Sequence, residues 1–136
     1  DNVSNSKKDS ISSLVDIGAK VIEGDITKPL DILNITKDQD VVIHLAAKIS
    51  VSESIKNPAE TFQVNVDGTR NVLTACEKNH VKKLIVASSA AVYGESSPDV
   101  KLTEESKINP ISPYGESKVR MEKKIREFTS EHDIDY

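Results

Sequence analysis

Apolar residues recur along this chain first at helical and then at strand spacing, and the changes of period mark its elements. Ile11, Leu14, Val15 and Ile17 fall on one helical face between Lys7 and Gly18, which predicts a helix with Gly18 as its stop. Residues 19–23 predict a short strand, followed by a turn at Gly24-Asp25 and a brief helical or irregular piece over 29–35. Residues 41–46 are the next buried strand. Over 58–79, Phe62, Val66, Thr69, Val72, Leu73 and Cys76 line the inner side of one long helix. Gly68 inside it costs about 1 kcal/mol against alanine, so a packing or ligand reason is expected. Residues 84–89 form a third strand, 112–130 a second long helix, and 134–136 the opening of a further strand. The stretch 96–113 has no such pattern and the length of a functional loop. Strand and helix alternate throughout, as in an α/β fold with a parallel sheet.

Composition narrows the class of partner. A chain of 136 residues, 37% hydrophobic and 29% charged, suits one soluble globular domain at most. Its net charge of -4 argues against nucleic acid or an anionic membrane as the main partner, because both select clustered Lys and Arg. No apolar stretch approaches the roughly 20 residues of a membrane span, and the polar N-terminus is not a signal peptide, so the cytoplasm is the expected location. The single cysteine, Cys76, reads as a buried small hydrophobe. His44, His80 and His132 are scattered without metal spacing, and His44 reads as a core residue satisfied by a neighbour.

Candidate chemistry lies in Ser112-Pro-Tyr-Gly-Glu-Ser-Lys118. Positions i and i+4 share a helix face, so the ammonium of Lys118 can lie beside the phenol of Tyr114. At an effective dielectric of ~20, a charge about 4 Å away is worth roughly 4 kcal/mol, enough to bring a phenol about three units toward neutrality and make it a usable base. The plainer alternative is an aromatic ring packed under an aliphatic stem. Upstream, Ser88 and Ser89 fall at the carboxyl end of the 84–89 strand, the end at which open α/β sheets bind ligands.

A hydroxyl, a tyrosine and a lysine so arranged resemble the extended branch of the short-chain dehydrogenase/reductase superfamily, the NAD-dependent nucleotide-sugar epimerases and dehydratases. The matching pieces are Asp1-Asn-Val-Ser-Asn5, Glu23-Gly-Asp-Ile26, His44-Leu-Ala-Ala47, Asn65-Val-Asp-Gly-Thr69, Ser88-Ser-Ala-Ala-Val-Tyr-Gly94 and Ser112-Pro-Tyr-Gly-Glu-Ser-Lys118, collinear over nearly the whole chain. Within the family the likeness is to the 4-epimerases.

The resemblance implies a Rossmann-type doubly wound parallel sheet, with the chain as a partial NAD-binding domain over 1–136. None of the five glycines forms the Gly-rich pyrophosphate loop, so the first two strands and the C-terminal substrate-binding part are expected to lie outside this sequence, and the piece alone is expected to be unstable and inactive. The implied catalytic residues are Ser89, which hydrogen-bonds the sugar hydroxyl, Tyr114, which takes its proton, and Lys118, which assists the phenol and holds the nicotinamide ribose. The implied NAD contacts are Asp1 and Asn2 at the adenosine ribose, Asp25 and Ile26 at the adenine, the strand end Leu45, Ala46 and Ala47 with its small or apolar side chains, and Asn65 as a buried support, together with Tyr114 and Lys118. Asp1 also reads as a frayed terminus and Asp25 as a turn aspartate capping its own backbone. Ile49 stands where 4-epimerases commonly carry a lysine, and Val64 where relatives often have a polar cofactor contact. Ala90 and Ala91 replace the Asp and Glu with which dehydratases eliminate water. The expected activity is therefore epimerisation of a nucleotide sugar, in a protein that pairs as a homodimer through its two long helices. Another reductase or decarboxylase of the branch, or a non-catalytic dinucleotide binder, is the alternative.

Overall fold

A computed structural model describes residues 2–3, 8–97, 99 and 101–136, with 8–11 described by backbone alone. In chain order come α1 (Lys8–Asp16), α2 (Pro29–Ile35), β1 (Val41–His44), α3 (Val51–Lys56), α4 (Pro58–Phe62), a π-helical segment (Gln63–Gly68), α5 (Thr69–Lys78), β2 (Lys83–Val86), a 3-10 turn (Ala90–Val92) and α6 (Pro113–Glu131). β1 and β2 pair in parallel, with Val42 opposite Leu84 and His44 opposite Val86. A parallel pair needs a long crossover, which the helices from α3 to α5 provide. Asp135 bridges Lys83 in parallel, bonding Leu84 N–H and Lys82 C=O on the edge of β2 away from β1, so the strand expected at 134–136 does begin there.

One face of this two-stranded sheet is covered. Val42, His44, Leu84 and Val86 point together toward the core, which gathers Ile32, Val72, Leu73, Cys76, Met121 and Ile125 from α2, α5 and α6. Val41, Ile43 and Ile85 on the other face are exposed, which corrects the expectation of strands buried on both sides. The strand expected over 19–23 is not formed. Val and Ile become a strand only where a neighbour completes the ladder, and among the described residues the sheet has two strands, of which β1 is one edge. Helix α1 has the expected spacing and stops near Gly18, whose φ is +86°, yet Leu14, Val15 and Ile17 are exposed.

The helix expected over 58–79 is continuous in course but widens into the π-helical segment, whose looser turn carries Asn65 inward to almost complete burial. Packing is the reason for Gly68: a Cβ there would sit 2.6 Å from Cδ1 of Ile26. Helix α3 is an addition to the predicted elements. Ser50 caps it, its hydroxyl accepting from Glu53 N–H at 3.2 Å. None of the helices formed by described residues is long and apolar enough to cross a membrane.

The loop after the 3-10 turn is tied back where Asn109 N–H donates to Val92 C=O at 3.0 Å. Gly94 stands at this crossing with φ +72°, and a Cβ would meet the Asn109 carbonyl oxygen at 2.1 Å. Gly94→Ala is expected to destabilise the protein by about 2–4 kcal/mol, the sum of a left-handed backbone and a backbone clash. A urea midpoint that falls with an unchanged m-value is the expected reading, and a midpoint equal to that of the unmodified protein refutes it.

Candidate functional site

Two serines follow β2, and their partners separate them. The Ser88 hydroxyl donates to the carboxylate of Glu122 on α6. Ser89 has extended backbone and caps the 3-10 turn, its Oγ accepting from Ala91 N–H at 3.2 Å. Among the described residues Ser89 donates to nothing, so its hydroxyl proton is available to a ligand.

The start of α6 is held against this turn by a complete set of partners. A helix leaves its first N–H groups unpaired, and here each has a solution. Pro113 has no N–H to satisfy. Tyr114 N–H donates to Ser54 Oγ at 3.1 Å, Gly115 N–H to Ser112 Oγ at 3.0 Å and Glu116 N–H to Ser112 C=O at 2.9 Å. A Cβ at Gly115 would lie 2.5 Å from the Ala91 carbonyl oxygen, so only glycine lets the first turn of α6 sit on the turn that Ser89 caps.

One turn on, Lys118 is 4% exposed and donates from Nζ to Ala87 C=O at 2.9 Å, with Met121 Sδ 3.8 Å away. Burial pushes its pKa down, and the carboxylate of Glu122 pushes the other way. Tyr114 is buried on the same helix one turn earlier. Lys118 is thus fixed just past the end of β2, two residues before Ser89, so one helix brings both residues of the Tyr-Lys pair to the carboxyl end of this strand.

Behind the pair runs a buried polar chain. Ser117 Oγ donates to Tyr114 C=O at 2.7 Å and accepts from Asn65 Nδ2 at 2.9 Å. The Asn65 amide also grips the backbone of Lys48, accepting from its N–H at 2.8 Å and donating to its C=O at 3.0 Å. Thr69 Oγ1 gives its proton to Asn65 C=O at 2.7 Å, so it accepts from His44 Nε2 at 2.9 Å, and His44 carries its proton on Nε2. Burial, and secondarily the nearby Lys118 charge, pull the His44 pKa down to about 4. His44 is the satisfied core residue that was expected.

The other expected contacts are spread along the carboxyl side of the fold. Leu45 and Ala46 are exposed and Ala47 half-buried just beyond β1, a strand end of small or apolar side chains. Asp25 accepts from the N–H and hydroxyl of Thr27 at 2.8 and 2.7 Å, and from Asn2 Nδ2 at 3.1 Å. These bonds, the Thr27 N–H foremost, hold its carboxyl below the usual range. Asp25 therefore caps its own turn and also meets Asn2, and both line a cleft of about 410 Å³ together with Glu23, Lys28 and Asp31. The Ile26 side chain is half-buried against Gly68, and its carbonyl accepts from Asn71 at 2.9 Å. Asp1 lies outside the described residues. Ser54 and Ser117 were not among the expected site residues. Ser54 follows the Ser50-x-x-Glu53 capping pattern, which announces α3, whereas nothing in the sequence marks Ser117.

Comparison with known proteins identifies the family and the fold. The model of the NAD dependent epimerase/dehydratase family matches residues 2–136. A UDP-glucose 4-epimerase of Lactobacillus helveticus is 41% identical over 111 residues, which are 80% of this chain and 33% of that protein. Among solved structures, a UDP-Glc/GlcNAc 4-epimerase of Campylobacter jejuni superposes with a TM-score of 0.87 at 34% identity, over 96% of this chain and 40% of that one. A UDP-glucose 4-epimerase of Thermus thermophilus in complex with NAD gives 0.89 at 28% identity, over 98% and 43%. The Rossmann-type α/β fold follows, and the chain spans between a third and a half of each of these proteins.

The buried imidazole sets a pH dependence. Because its folded pKa of about 4 lies below the model-peptide value of 6.5, the unfolded chain binds the proton first as pH falls. His44 stabilises the fold fully above about pH 6.5, and this is lost down to about pH 4, up to roughly 3 kcal/mol in all. His44→Gln keeps a donor for Thr69 but does not titrate. Unfolding free energies at stepped pH should show the unmodified protein losing more than the variant across that window, and parallel curves would exclude the assignment.

Proposed function

Since the chain belongs to the NAD dependent epimerase/dehydratase family, we propose that it supplies the catalytic constellation of a nucleotide-sugar 4-epimerase, with Tyr114 as base and Ser89 and Lys118 as its partners. The observation that carries this reading is the seat of α6: Tyr114 and Lys118 lie one helical turn apart, and Lys118 Nζ is bonded to Ala87 C=O, two residues before Ser89. NAD, when bound, supplies the acceptor that takes a hydride from the sugar carbon and gives it back. The residues fit such a group: Asn2 and Asp25 edge a polar cleft for the adenosine end, with Asp1 and Ile26 adjoining it in sequence, and the small or apolar strand end of Leu45, Ala46 and Ala47 suits the nicotinamide half. Asn65 supports that strand end through Lys48 rather than by facing a ligand.

In this reading the Ser89 hydroxyl donates to the reacting sugar oxygen and fixes it, while Tyr114 takes the proton of the sugar hydroxyl as the carbon becomes a ketone. The keto-sugar turns over in the site, and Tyr114 returns the same proton when hydride arrives on the opposite face. Lys118, buried and without an ion-paired carboxylate among the described residues, is the cation that assists the phenol in this reading. Ala90 and Ala91 offer no second acid or base, and the Ala91 N–H is engaged by Ser89, which favours epimerisation over elimination of water.

Assays of the complete protein with NAD should show interconversion of UDP-glucose and UDP-galactose. Tyr114→Phe is expected to lower kcat by about 10²–10⁴-fold, the usual share of general acid–base catalysis. Undiminished turnover in that variant removes Tyr114 from the mechanism. NAD binding without turnover of any nucleotide sugar in the unmodified protein identifies a dinucleotide binder instead.

A further inference from the structure

Ser54 lies outside every expected contact, yet it is a polar residue almost wholly buried, at 1% exposure. Its hydroxyl proton goes to Val51 C=O at 2.7 Å, which leaves its lone pairs to accept the Tyr114 N–H at 3.1 Å. That N–H belongs to the second residue of α6, a donor that the helix itself cannot satisfy. Ser112 is already engaged by Gly115 and Glu116. The acceptor for Tyr114 comes from another helix, sixty residues earlier in the chain.

The two peptide groups flanking the Cα of Tyr114 are therefore both bonded by side chains, the N–H by Ser54 of α3 and the C=O by Ser117 of α6 itself, which Asn65 holds in turn. Ser54 also ends a stretch that is fixed at its beginning. Lys48 is bonded through both backbone groups to Asn65, directly after the strand end at Leu45, Ala46 and Ala47, and Ser54 closes the run against α6. From this juxtaposition we infer that Ser54 is a positioning residue: it sets the phenol of Tyr114 relative to the strand end that the proposed function gives to the nicotinamide half of NAD. The inference rests on the reading of Tyr114 as the base. Its physical weight comes from geometry, since misplacing a reacting group by about 1 Å can cost around 10²-fold in rate.

Ser54→Ala removes one oxygen and adds no volume. In the complete protein with NAD, it is expected to lower kcat by about 10- to 100-fold while KM for the nucleotide sugar and the Kd for NAD stay within about threefold. In parallel, amide hydrogen exchange at Tyr114 should speed up by about tenfold or more, while Gly115, held by Ser112, keeps its rate. Unchanged kcat overturns the inference, as does a fall in kcat matched by equal losses of NAD affinity and thermal stability, which marks a merely structural serine. Activity that survives Tyr114→Phe overturns the proposed function instead, and leaves the exchange result standing as a statement about the backbone. Should Ser54→Ala not fold, exchange in the unmodified protein decides: a Tyr114 amide as slow as that of Gly115 supports the bond, and a fast one removes it.

Discussion

The rest of this structure depends on the seat of α6 against the turn that follows β2. Two local facts allow it: Gly115 presents no Cβ to the Ala91 carbonyl, and Lys118 exchanges water for the Ala87 carbonyl. The second is expensive, because an ammonium withdrawn from water loses several kcal/mol of hydration even after the protein relaxes around it. One carbonyl at 2.9 Å, a thioether and the field of Glu122 offset part of that loss. A methionine of similar volume would fill the same space without the penalty, so packing does not account for a lysine at 118. The charge is retained at a strand end, on the carbonyl two residues before Ser89.

The layout was legible where periodicity and motif agreed. The spacing of Val72, Leu73 and Cys76 placed α5 against the core, Ser112 with Pro113 announced the start of α6, and the Tyr114-Lys118 interval predicted two side chains on one face. Those are local statements, fixed by the geometry of a single helix. Residues 134–136 predicted the start of a further strand, and Asp135 does bridge Lys83, though the sequence did not name that partner.

What escaped the sequence is what only neighbours decide. Residues 19–23 look like a strand, yet strand identity is a property of the ladder and not of Val21 and Ile22. Exposed Val41, Ile43 and Ile85 make the same point for burial, since a run of apolar residues fits one covered face as well as two. The π-helical segment was equally hidden, because Asn65 reads as a poor helix former whether the turn is tight or wide. Its amide is inward only because Lys48 and Ser117 are there to receive it.

The chain of hydrogen bonds from Tyr114 to His44 shows why polar residues occupy ground that apolar ones could fill. Each hydroxyl in it gives one proton and accepts one bond, and because the Thr69 proton goes to Asn65 C=O, the tautomer of His44 is fixed as well. Protonating His44 breaks none of these bonds, because Nε2 already donates. What it adds is a second buried cation, and burial first, with the repulsion from Lys118 second, keeps the imidazole neutral. Apolar replacements of equal volume would preserve the packing but release the directions, and helix α6 could then turn or slide by fractions of an ångström at little cost. A phenol that must meet one hydroxyl of a sugar tolerates no such freedom, which is a physical reason for directional bonds to surround Tyr114 on both sides of its Cα.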